Sequence, residues 1–106
     1  MRIPNALQTV LGTHFDSDLV NCSDPNDVAR VADEASFFLT ADNVTTEAML
    51  EVARYLRQLL TDMDEADVSE WERSTNAPWS EYLPHFRIGM EHLLTAVEEE
   101  LRDREA

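Results

Sequence analysis

The sequence predicts an all-α fold, a small bundle of four to five helices, and three observations carry that expectation. Apolar residues recur at steps of three and four from Val44 to Met63, the period of a helix with one face in a core. Helix-start chemistry appears at Asp24-Pro25 and at Val44-Thr45. No stretch alternates apolar and polar residues as a half-buried strand would.

The Val44–Met63 stretch is expected to be the central helix, on which the others pack. Met49, Val52, Ala53, Leu56, Leu59, Leu60 and Met63 make its stripe, and Leu56, Leu59 and Leu60 are assigned to the core. Thr45 suits the N-cap, where its hydroxyl accepts an amide proton left unpaired in the first turn. Val44 and Met49 have the spacing of a hydrophobic staple. No Gly or Pro interrupts the chain from Val44 to Ala77.

Ahead of it, Pro4 opens a first helix carrying Ala6, Leu7, Val10 and Leu11, with Gly12 expected to stop it. Thr13–Ser23 reads as a loop with Phe15, Leu19 and Val20 turned inward. A second helix starts at Asp24, the N-cap, with Pro25 at the first position and Asp27 in the acidic first turn. It runs to about Leu39 and places Val28, Val31, Ala32, Ala35 and either Phe38 or Leu39 on one side. Beyond Asp64 a short helix to Glu72 is expected, then a polar turn at Ser74–Pro78. Trp79, Tyr82 and Leu83 begin a further helix that Pro84 kinks or restarts. Phe86, Met90, Leu93, Leu94, Val97 and Leu101 continue the last apolar stripe, with Gly89 costing about 1 kcal/mol relative to Ala. Arg102 and Arg104 suit that helix's C-terminal end.

The 106 residues are read as one domain, 1–106, large enough for a core of its own. Twenty-two acids face eight bases, all arginine, for a net charge of −14. Such a surface repels phosphate backbones and anionic lipid and attracts basic partners, a docking surface for a basic protein; the plainer alternative is that the acidity only keeps the protein soluble. The lone Cys22 cannot form an internal disulfide, no run approaches the roughly 18 apolar residues of a spanning helix, and the N-terminus lacks a signal peptide's pattern. A soluble, cytoplasmic protein is the expectation.

Chemistry is sparse. His85 and His92 stand seven residues apart with Glu81 and Glu99 extending the row, but the spacing is wider than a helical zinc pair uses, and a solvated face is the simpler reading. His14-x-Asp16-x-Asp18 is likewise read as loop polarity. Asp62-x-Asp64 lacks the Gly and the terminal Glu of a calcium loop. With no nucleophile–base set and only Gly12 and Gly89 as glycines, neither an enzyme, a phosphate loop, a metal nor a cofactor is expected. What stands out is Asp62–Glu72, where Asp62, Asp64, Glu65, Asp67, Glu70 and Glu72 surround Trp71 without a basic residue. These seven residues are the candidate partner-binding set: carboxylates for a cationic surface, and a tryptophan of the kind enriched at interface hot spots. The plainer alternative buries Trp71 in the core and leaves the carboxylates solvated.

The order of features resembles small immunity proteins of bacterial contact-dependent growth inhibition systems. Those show a Gly followed by Tyr-Phe-His-Gln-Asp-Trp/Phe and then a Pro-initiated helix. Here Leu11–Leu19 keeps Phe15 and Asp18, while His14, Asp16, Ser17 and Leu19 depart from the pattern; Asp24-Pro25 follows. An Arg/Leu-rich helix at Leu56–Leu60, the acidic Asp62–Glu72 segment and Trp79–Leu83 recur in the same order. The resemblance implies a cytoplasmic protein that binds and blocks a delivered toxin domain, one to one. The charge adds that this toxin is basic, such as a nuclease. Two other readings stay open: an acidic DNA mimic that inhibits a nucleic-acid enzyme, and a helical adaptor or regulatory subunit.

Overall fold

In the computed structural model, the residues described are 3–14, 21, 24–62 and 85–105. They form four helices and no strand: α1 (Asn5–His14), α2 (Pro25–Leu39), α3 (Thr46–Asp62) and α4 (Phe86–Glu105). This is the expected small all-α bundle. The inward positions expected at Phe15, Leu19 and Val20, the Asp64–Glu72 helix, the turn at Ser74–Pro78 and the Trp79–Pro84 segment lie outside the described residues.

The helix starts follow their local chemistry. Asp24 caps α2 with an extended backbone, its Oδ1 accepting from the Asn26 N–H at 2.9 Å, and Pro25 takes the position where no amide proton is needed. Thr45 caps α3, its hydroxyl accepting from the Ala48 N–H at 3.1 Å. Val44 packs on the core and Met49 is buried, as a staple requires.

One expected stop fails. α1 runs through Gly12 to His14. Leu7, Val10 and Leu11 are buried, and the Thr13 hydroxyl donates back to the Thr9 carbonyl at 2.8 Å. Packing of three apolar residues outweighs the roughly 1 kcal/mol that glycine costs a helix.

The centre of the bundle also differs from the expectation. α4 packs along both α2 and α3, which scarcely touch each other, while α1 leans mainly on α2. Contacts between Asp33 and His92, and between Ala41 and Arg104, show that α2 and α4 run parallel. α3 runs antiparallel to α4, because Leu60 meets Arg87 and Val44 meets Arg104. The last helix, not α3, is therefore the spine. Met90, Leu93 and Val97 are wholly buried along it, with Leu101 close behind.

On α3, Met49, Val52, Ala53, Leu56 and Leu59 are buried as their spacing demands. Leu60 is only half-buried at the edge of the core, and Tyr55, absent from the expected stripe, is buried. At the end of α2 the inward residue is Leu39, whereas Phe37 and Phe38 are exposed. Three consecutive bulky residues span too wide an arc for all of them to face one core.

Candidate functional site

The expected partner-binding set is placed only at its first member. Asp62 is the last residue of α3, while Asp64, Glu65, Asp67, Glu70, Trp71 and Glu72 lie outside the described residues. What the described residues do show is how the chain distributes its charge.

Four arginines are committed to contacts within the chain. Arg30 bridges Asp27 at 2.8 Å and Glu34 at 3.0 Å along the outer face of α2. Arg57 of α3 reaches Glu98 of α4 at 3.3 Å. Arg87, in the first turn of α4, donates to the Leu60 carbonyl at 2.7 Å, satisfying an acceptor that the last turn of α3 leaves open. Arg104 does the corresponding work at the other end. Its guanidinium donates to the carbonyls of Val44 at 2.8 Å and Ala41 at 3.2 Å, to the Thr46 hydroxyl at 3.3 Å and to Glu100 at 3.2 Å. It therefore pins the α2–α3 connection and is not merely a cation at a helix C-terminus.

Carboxylates are left over. Asp42, Glu47, Glu51, Glu99, Asp103 and Glu105 are exposed and have no ion pair among the described residues. Asp27 is one of the bound acids. The Asn21 backbone N–H at 2.7 Å and then the Arg30 guanidinium hold its carboxyl below the ordinary value.

A shallow groove of about 350 Å³ opens between α2 and α4, lined by Asp33, Glu91, His92, Thr95, Ala96 and Glu99. His92 Nδ1 lies 3.0 Å from Asp33 Oδ1 across it. His85 precedes α4, its carbonyl accepting from Ile88 and Gly89, and only His92 and Glu99 stand on the helix. Glu81 lies outside the described residues. A second cavity of about 320 Å³, where α1 begins beside α3, is lined by Ile3, Pro4, Asn5, Ala6, Ala48 and Glu51. Glu51 is its single titratable side chain among the described residues. Among the described residues, no group of three or more His, Cys, Asp or Glu side chains is placed to hold a metal ion. Nor is any helix among them long and apolar enough to cross a membrane.

Sequence reasoning missed the Asp33–His92 contact and the exposed pair Phe37-Phe38. The pair did carry a signal: Phe37 falls outside the buried stripe of α2.

Fold and surface together define a small helical bundle with an acidic exterior. No family model matches the chain, and no curated protein and no solved structure matches it.

Proposed function

We propose that the chain is an immunity-type inhibitor: a cytoplasmic binding protein that neutralises a cognate basic toxin domain, one to one, by covering it with an acidic surface. The observation that supports this reading is the disposition of charge. The chain carries −14, and Arg30, Arg57, Arg87 and Arg104 are spent on internal ion pairs and carbonyls. The field presented to a partner is consequently negative, which speeds encounter with a cationic protein and rejects nucleic acid. A nuclease domain exposes cations to grip its substrate, so a rigid acidic bundle is suited to covering them.

In this reading Asp62, Asp64, Glu65, Asp67, Glu70 and Glu72 form part of the contact surface with Trp71. The test is binding kinetics, across ionic strength, against the product of the neighbouring gene. Reversing Asp64, Asp67 and Glu70 to Lys should slow association and flatten its salt dependence, with circular dichroism unchanged. Identical rates at every salt concentration would remove this segment from the interface. Absence of any complex with that product would refute the inhibitor reading for the pair.

A further inference from the structure

Phe37 and Phe38 stand side by side on α2 with 74% and 60% of their surface exposed. The core does not need them, because Leu39 closes the last turn of α2 at 1% exposure. Phe37 follows Asp33 by one helical turn on the same face. Asp33 is the α2 wall of the groove whose opposite wall is Glu91, His92, Thr95, Ala96 and Glu99 of α4. Since the two helices run parallel, Phe37 flanks the groove toward its Glu99 end. One face thus combines an exposed aromatic ring, a cleft kept open by the small Thr95 and Ala96, and carboxylates on both sides. Phe37 is not itself a lining residue of the groove. A single exposed ring is ordinary on a protein surface, and it is its place one turn from Asp33, beside an acidic cleft, that makes it usable as an anchor.

We infer that this α2/α4 face docks one amphipathic helix of a basic partner protein, whose apolar side chains cover Phe37 and enter the groove over Ala96. Its Lys or Arg residues meet Glu99, which has no ion pair among the described residues, and compete for Asp33 and Glu91, whose contacts to His92 at 3.0 Å and Arg87 at 3.7 Å are solvent-exposed. The inference rests on the reading of a basic partner given above and adds where that partner sits. Charge complementarity selects the occupant. A second copy of this chain would bring −14 against −14, and nucleic acid or an anionic bilayer meets the same repulsion. A cationic amphipathic segment is attracted, and helix-in-groove docking supplies an apolar anchor of the kind Phe37 offers.

The test uses a synthetic Leu/Lys peptide of about 18 residues, roughly five helical turns, with Leu at helical spacing, titrated into the isotope-labelled chain. A second peptide of equal charge replaces Leu by Ser. Amide shifts should centre on Asp33, Phe37, Thr95, Ala96 and Glu99, and the Ser peptide should bind about tenfold more weakly or worse. Phe37→Ser removes the anchor and Thr95→Trp fills the cleft. Both positions are exposed, so each variant should keep the wild-type melting temperature and lose about tenfold or more in affinity. Several results would overturn the inference: no peptide binding, shifts centred elsewhere, equal binding of the Ser peptide, unchanged affinity in both variants, or a Phe37-dependent dimer in sedimentation equilibrium. The neighbouring gene's product separates the two proposals. Full-strength binding of it by Phe37→Ser refutes this surface and leaves the inhibitor reading standing. Failure of wild type to bind it, while the peptide still seats in the groove, does the reverse.

Discussion

Replacing Arg104 by Met keeps most of the aliphatic stem and removes every donor, which isolates the polar clamp from packing. The side chain is only 21% exposed. It holds the Val44 carbonyl at 2.8 Å and the Ala41 carbonyl at 3.2 Å, with a longer contact to Thr46 Oγ1 at 3.3 Å. Hydrogen bonds from a charged donor contribute about 1.5–3 kcal/mol each, but the freed loop carbonyls regain water, so the net loss should be about 2 kcal/mol. For a domain of this size, with an unfolding entropy of about 2.1 cal/mol/K per residue, that lowers Tm by about 9 °C. Arg102→Met is the matched control. Arg102 is in the same last turn of α4, is exposed, and its loss changes the net charge equally. It should cost no more than about a few tenths of a kcal/mol, the size of an exposed dipole interaction. Chemical denaturation of both variants, with amide exchange at Thr40–Ala48, measures the difference and locates it. Equal destabilisation by the two variants, or Arg104→Met exchanging at the wild-type rate in that connection, would refute the clamp and leave only a general charge effect.

Two further predictions concern core and pH. Leu56 is completely buried, so Leu56→Ala should cost about 2–5 kcal/mol in urea denaturation through lost transfer energy and the cavity left behind; a cost under 1 kcal/mol would remove it from the core. Asp27 has its folded-state pKa below the ordinary 3.8, first through the Asn21 amide and then through Arg30. A depressed carboxyl stabilises the fold above the unfolded value, and that contribution is lost as pH falls through the folded value. Stability should accordingly decline below about pH 4, less steeply in Asp27→Asn, and an NMR titration should put the Asp27 midpoint below 3.8.

Most of what was legible in the sequence is short-range. Asp24 and Thr45 cap their helices because each needs only an oxygen two or three residues from an open amide. The α3 and α4 stripes are buried because period alone puts Met49, Val52, Leu56 and Leu59, or Met90, Leu93 and Val97, on one side. Where local signals compete, packing arbitrates. Gly12 did not stop α1, since the apolar residues around it are held by the core, and Leu39 took the inward position that Phe38 could equally have claimed.

The long-range features followed no local rule. Arg104 meets Ala41 across 63 residues of chain, Arg87 meets Leu60 across 27, and His92 meets Asp33 across 59. No periodicity or cap encodes such pairings. They arise once α4 settles between α2 and α3, and that choice depends on which apolar faces bury the most surface together. The same applies to the candidate surface. Composition alone established its negative sign. The groove exists because tertiary packing brings one carboxylate of α2 beside two of α4, and Phe37 is exposed because α2 presents only one narrow stripe to a core that Leu39 already fills.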